Sequence, residues 1–244
     1  MSPTTAPLVK PLGRKAYGSI PHLPGSHLGP GDHHVSPGQA RICWEQARDR
    51  HDRIIVQEKL DGSCVAVAKI EGEIVPLVRK GYPAASSRFA QHHRFAEWVA
   101  DHTGRFDRVL QEGEHVVGEW LAQAHGTRYA LPHEPYVVFD LMRDGTRLPW
   151  MAFQERVAPW FITPHVLHDG DPFPLAEAVA ALGATGHHGA LETPEGAVWR
   201  VERRGIVDFL AKWVRPDKVD GGYLPEITGG APIWHWPPPE AEEA

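Results

Sequence analysis

The run Glu58-Lys59-Leu60-Asp61-Gly62-Ser63 sets a lysine beside a carboxylate and a glycine, at the junction of two strand-like segments. A lysine amine attacks a phosphorus or carbonyl centre only after losing its proton, which burial or neighbouring cations make easier. The glycine lets a backbone come close to a ligand. Taken alone, the run reads equally as a solvated turn. Further chemistry-bearing residues follow in order: Arg79 in LVRKG, Glu119 in VVGEW, Phe139-Asp140 in YVVFDL, Glu195 in PEGAV and Lys212 in DFLAKWV. Each lies on or beside a strand-like run.

The elements that must position them can be read from periodicity. Residues 1–40 are rich in Pro, Gly and His and predict an extended, turn-rich lead-in packed on or near the body of the protein. From Arg53 onward IIVQEK, CVAVAKI and EIVPLVRK read as short strands, the last two joined by a tight Glu71-Gly72 turn. The run SSRFAQHHRFAEWVAD predicts a helix over 86–101, capped by a serine and presenting Phe89, His92/His93, Phe95/Ala96 and Val99 at helical spacing. Strands are expected at 115–120, 135–141, 197–203 and 206–214, and a second helix at 174–182. Runs of strands with inserted helices give an α+β fold with antiparallel sheets, one body over 41–218, and a solvated tail over 219–244.

In this order and strand context the motifs resemble those of the covalent nucleotidyltransferase superfamily of ATP-dependent ligases and capping enzymes. Within it the chain is similar to the RNA ligase 2 group, which includes the RNA-editing ligases. The features that carry the resemblance are Glu58 directly before Lys59, Arg79 at a 20-residue interval, and the upstream Tyr17-Gly18-Ser19-Ile20 segment. It implies an adenylyltransferase domain with a central ATP groove, ATP as the nucleotide and Mg²⁺ or Mn²⁺ as the metal. By this resemblance Lys59 attacks the α-phosphate of ATP to form lysyl-AMP. Glu119 holds the ribose hydroxyls, Phe139 stacks on adenine, and Arg79 contacts the nucleotide or a 5′-phosphate end. Glu58 and Asp140 give structural or catalytic support, Glu195 and Asp61 serve the metal, and Lys212 meets the α-phosphate, so that the catalytic set implied is Lys59, Lys212, Glu195, Asp140 and Glu58. The partners implied are RNA ends, in a nicked duplex or broken loop, with an end-healing kinase or phosphatase or an RNA-binding protein beside them. The physics is compatible: phosphates need cations on their oxygens as pyrophosphate leaves, and Glu195 and Lys212 fall on strands joined by Arg204-Gly205.

Departures from the group's pattern are specific. Val214 stands where a second lysine is usual, with Arg215 and Lys218 as nearby substitutes, and Cys64 stands where an amide side chain is usual. The 32 residues after Lys212 are too few for an appended oligonucleotide-binding or helical domain. Other readings are a DNA ligase or capping-type transferase sharing the first step, a nucleotide- or RNA-binding pseudo-ligase without turnover, and a subunit of an RNA-repair complex. The basic and aromatic stretch Trp199–Lys218 offers RNA contacts, against the alternative of a mixed-charge sheet with tryptophan in its core. Sixteen histidines without a His-Glu-x-x-His run do not predict zinc.

Composition narrows the classes. The 42% hydrophobic content supports a sizeable core, and a net charge of −6 means that any polyanion must meet a local basic patch. Two cysteines, Cys43 and Cys64, form no disulfide framework, and no run nears the roughly 18 apolar residues of a membrane span. The expected compartment is the cytoplasm.

Overall fold

The computed structural model describes residues 8–236. In chain order the elements are α1 (Pro37–Trp44), β1 (Asp52–Lys59), β2 (Ser63–Ile70), β3 (Glu73–Val78), α2 (Ala90–Asp101), α3 (Thr103–Val109), β4 (Glu114–Trp120), β5 (Tyr136–Arg143) and β6 (Thr146–Arg147). Then come α4 (Trp150–Val157), β7 (Val166–Gly170), α5 (Leu175–Leu182), β8 (Gly196–Arg203), β9 (Ile206–Val214) and the short α6 (Pro225–Thr228). The fold is α+β with antiparallel pairing in both sheets, ordered β7-β1-β8-β9 and β3-β2-β4-β5-β6. Hairpins β2–β3, β5–β6 and β8–β9 turn on Glu71-Gly72, Asp144-Gly145 and Arg204-Gly205, with positive φ at both residues of each pair. That is the turn whose twist matches the strands it joins.

Apolar alternation decides what covers each sheet. The first buries Ile54, Val56, Trp199 and Val201 against Ala40 and Cys43 of α1 and Ala178 and Leu182 of α5. The second packs Val65, Val67, Val116 and Val138 under Phe95 and Trp98 of α2, Phe106 of α3 and Phe153 of α4. Its other face, with Ala66, Ala68, Leu77 and Val117, is covered by Ala16 and Tyr17 of the lead-in. The lead-in crosses from one sheet to the other: Ala16 and Tyr17 donate backbone N–H bonds to the Arg79 carbonyl, and Leu23 donates to that of Lys212 while Lys212 donates to that of Pro21.

Several expectations are corrected. The α2 helix starts at Ala90 with Phe89 as an N-cap that makes no side-chain bond, because the Ser87 hydroxyl bonds to Phe89 N–H and His92 instead. Its buried face is Gln91, Phe95, Trp98 and Val99, so His93 points to solvent. Helix α1 begins inside the expected lead-in, where Pro37 at the first helical position and a Ser36/Gln39 capping box nucleate it. Residues 219–236 fold back, with Ala124 N–H donating to the Ile233 carbonyl and His235 N–H to that of Ala122. The first seven and last eight residues of the expected lead-in and tail lie outside the described residues. Among the described residues no helix is long and apolar enough to cross a membrane.

One carboxylate pins the layers together. Asp140 on β5 is buried and accepts from Arg200 of β8, from Arg147 Nε on β6 at 3.1 Å and from the Tyr17 hydroxyl of the lead-in at 2.6 Å. Removing it leaves a buried guanidinium without its charge partner. Asp140→Ala is expected to lose about 3 to 5 kcal/mol in urea unfolding, and Asp140→Asn, which keeps acceptors, less.

Candidate active site

A groove of about 620 Å³ opens between the two sheets. The residues singled out above that line it are Glu58, Lys59, Asp61, Arg79, Glu119, Phe139, Asp140, Glu195 and Lys212. Lys59 ends β1, directly opposite Gly196 at the start of β8, and this register delivers Glu195 to it. The Lys59 ammonium donates to Glu195 Oε2 at 2.6 Å and to the Leu60 carbonyl at 3.2 Å. The chain then turns into β2 through Asp61 and Gly62. A Cβ on Gly62 would lie 2.5 Å from the Trp120 carbonyl oxygen, so only glycine lets β2 start this close to β4. The Gly62 N–H donates to Glu119 Oε1 at 3.0 Å, which fixes that carboxylate beside the lysine.

The two sheets contribute different walls. On β5 the register shifts so that Val117 pairs with Asp140 and Gly118 with Val138, leaving Phe139 as an extra residue. This bulge lets adjacent residues Phe139 and Asp140 both face the groove, which strict alternation would forbid. Phe139 is half-buried and braced edge-on by Tyr17, ring centroids 5.3 Å apart. Arg79, just past β3, is exposed but held by the lead-in, donating to the Gly18 carbonyl at 3.0 Å and Ser19 Oγ at 3.2 Å. Lys212 lies across from Val198 on the opposite wall, 3.9 Å from Asp32, which also takes His22 Nε2 at 3.0 Å.

The other sequence candidates occupy supporting places. Glu58 turns its carboxylate away from Lys59 and accepts the His187 N–H at 2.7 Å. Asp61 accepts the Gly126 N–H at 2.9 Å and is paired with the buried ammonium of Lys218. Of the two expected substitutes for the missing lysine at Val214, Lys218 therefore reaches Asp61, while Arg215 pairs with Asp217 at 2.7 Å. The basic stretch is dispersed. Trp199 is fully buried, Arg200 pairs with Asp140, and Arg203 pairs with Asp49 and Asp52. The mixed-charge sheet with tryptophan in its core is what forms, because β8 is interior to its sheet.

Sequence reasoning did not place three sets of neighbours at the site. Ser63 Oγ lies 2.8 Å from His92 Nε2, whose Nδ1 lies 2.6 Å from Ser87 Oγ, and all three line the groove. His22 and Asp32 meet Lys212, and Arg200 closes the floor. Only Arg200 had a local signal, as a charge in an otherwise apolar alternation.

The charges explain the chemistry available. Burial pulls the Lys59 ammonium toward losing its proton, but Glu195 and Glu119 outweigh burial and hold its pKa above the ordinary value. Burial raises the pKa of both carboxylates, that of Glu119 to about 7, with Lys59 opposing. Burial, then Lys59, lowers that of Lys212. Lys59, Lys212 and Arg79 facing one cavity fit a nucleotide's phosphates. Among the described residues no three His, Cys, Asp or Glu side chains converge. A divalent ion beside Glu195 would thus complete its shell with phosphate oxygens and water, the usual habit of Mg²⁺.

Two measurements follow from these charges. Acylation of Lys59, read by peptide mass spectrometry across pH, is expected to begin at lower pH in Glu195→Gln, because burial is then less opposed; an unshifted profile contradicts the pairing. For Glu119 the folded pKa exceeds the ordinary carboxylate value of about 4.3, so the folded state binds the extra proton and stability falls as pH rises through the window up to about 7. Glu119→Gln is therefore expected to gain thermal stability on wild type from about pH 5 to about pH 8.

The RNA ligase family matches residues 52–214, from the first residue of β1 to the last of β9. Among solved structures, Naegleria gruberi RNA ligase with PPi is similar at TM-score 0.51 and 17% identity, covering 68% of this chain and 50% of that one. An apo point mutant of the Naegleria ligase gives TM-score 0.56 and 14% identity, covering 86% and 61%. Another point mutant, with ATP and Mn, gives TM-score 0.54 and 14% identity, covering 85% and 61%. The chain thus spans between 50% and 61% of the length of these structures, and they share its fold. No curated protein matches. A family match running from the strand that ends in Lys59 to the strand that carries Lys212 makes this chain a member of the RNA ligase family.

Proposed function

We propose that the protein is an ATP-dependent RNA ligase that joins 3′-hydroxyl and 5′-phosphate RNA ends through lysyl-AMP on Lys59. The observation that carries this reading is the Lys59 amine at the groove floor, 2.6 Å from Glu195 and faced by Lys212 and Arg79. ATP and a divalent metal are taken from the family reading, and the Naegleria mutant bound to ATP and Mn is in line with it. Glu195 is placed to take the lysine proton. The amine then attacks the α-phosphorus, forming a P–N bond as the P–O bond to pyrophosphate breaks. Lys212 and Arg79 offset the charge gathering on the phosphate oxygens.

Phe139 gives an apolar face to the base and Glu119 an acceptor to the ribose hydroxyls. A divalent ion, held through Glu195 with Asp61 behind it, would supply Lewis-acid charge on the phosphates. The AMP then passes to an RNA 5′-phosphate, and the neighbouring 3′-hydroxyl attacks that phosphate and expels AMP. The site is taken to work on nicked duplexes or broken loops, alongside an end-healing kinase or phosphatase, in the cytoplasm.

Intact-protein mass spectrometry with ATP and Mg²⁺ tests the first step. Wild type, stripped beforehand with pyrophosphate, is expected to gain one adenylyl group that Lys59→Ala does not. An unmodified wild type leaves a nucleotide-binding protein without turnover. A nick whose 3′-hydroxyl strand is RNA is expected to be sealed faster than its all-DNA counterpart; equal rates point to DNA ligation.

A further inference from the structure

A second cavity, of about 310 Å³, lies beside the groove and is lined by Lys10, Lys15, Arg79 and Lys80 with Tyr17 and Tyr82. Four cations and no carboxylate line it, in a chain whose net charge is −6. Among the described residues none of the four makes an ion pair. The nearest compensated charge on the segment is Arg14, 3.5 Å from Asp144 at the exposed surface. Lys10 instead lies over the Tyr82 ring, 5.1 Å from its centroid. Uncompensated cations gathered in a concavity repel one another, so they are best satisfied by a polyanion that fills it.

The cup is held in shape. Ala16 and Tyr17 N–H groups donate to the Arg79 carbonyl, and the Ala16 carbonyl is bonded to His115 Nε2 at 3.0 Å. Gly81, at φ +88°, lies so close to the Arg14 carbonyl that a Cβ there would collide with it. The lead-in thus sits tight against the end of β3, and Lys10 and Lys15 project from a fixed segment. The cup is also continuous with the groove, because Tyr17, Arg79, Lys80 and Tyr82 line both. Lys10 and Lys15 line the cup alone.

We propose that this cup grips the sugar–phosphate backbone of the RNA strand whose 5′-phosphate enters the groove, with Lys10 and Lys15 of the lead-in as phosphate contacts and Tyr82 as a stacking surface. The inference rests on the ligase reading above. The direction follows from the geometry: a strand whose terminal phosphate faces Lys59 must continue outward, and Arg79 and Lys80, which line both cavities, offer cations on the way. No Asn, Gln, Asp or Glu side chain lines the cup, and its cations suit phosphates, so it takes backbone with little regard to sequence.

The test is fluorescence anisotropy of a labelled nicked RNA duplex carrying a 5′-phosphate at the nick, across a salt series, beside adenylylation by ATP read by mass. Lys10→Gln/Lys15→Gln is expected to weaken RNA binding on the order of tenfold and to flatten the log–log salt slope by about 1.4 to 1.8, while Lys59 still takes AMP at the wild-type rate. Arg50→Gln/Arg204→Gln removes the same charge at the far end of β1 and β8, about 23 Å along the strands from Lys59, and is expected to change neither. Unchanged RNA affinity and slope in the lysine variant, or an equal loss in the arginine control, overturns the cup. Loss of adenylylation with RNA binding intact also overturns it, since the cup would then serve the triphosphate. Failure of the ligase reading is separate, because it shows as wild type that never takes AMP.

Discussion

The groove exists because Asp140 holds its two walls at a fixed spacing. The carboxylate stands on β5 of one sheet, takes the guanidinium of Arg200 from β8 of the other, and binds Tyr17 of the segment laid across both. A buried ion pair adds little net stability, since desolvation cancels much of its Coulomb energy. It does make misplacement expensive: a slip of either strand strands a charge in the interior. Phe139, Glu195 and Lys212 all depend on this alignment, since each is mounted on, or beside, a strand that the pin holds. The residue that pins the sheets therefore also lines the groove they enclose.

The second constraint is charge balance inside the groove. Two acids and two lysines have been taken partly out of water, and each is tolerable because of the others. Lys59 is kept protonated by Glu195 and Glu119, the first of which is the proton acceptor in the proposed reaction. Phosphate oxygens would compete with those carboxylates for the ammonium and a metal would compete for the carboxylates, and both would loosen the hold on the amine. In the proposed reaction this restraint on the amine would last until a substrate arrives. The nearby Ser63–His92–Ser87 chain carries no formal charge while His92 stays neutral, and burial, the largest influence on it, lowers its pKa to about 4.

Much of this was legible in the chain because the signals are local. Two-residue alternation marks β4, β5, β8 and β9, the Glu71-Gly72 and Arg204-Gly205 pairs mark hairpins, and the spacing of motifs brings Lys59, Glu119, Phe139, Glu195 and Lys212 to one cavity. What stayed hidden is non-local or short. The Asp61–Lys218 pair joins residues 157 apart, and nothing near Lys218 announces its burial. β7 is a five-residue edge strand containing His168 and Asp169, too polar for an alternation test. The helix start at Pro37 was masked by the Pro and Gly around it. The bulge at Phe139 leaves no composition mark at all, although it alone explains how two neighbours face the same way.

The route of the lead-in has a mechanical consequence. Tyr17 is bonded to the end of β3 and Pro21 to Lys212 on β9, so Gly18-Ser19-Ile20 is all that crosses between the sheets at that rim. Four residue steps reach about 14 Å at full extension. The segment is a check-rein: however the sheets breathe, that rim of the groove can gape only as far as this length of chain allows. The number of residues between Tyr17 and Pro21 thus caps how far that rim can part beyond the spacing that Asp140 holds.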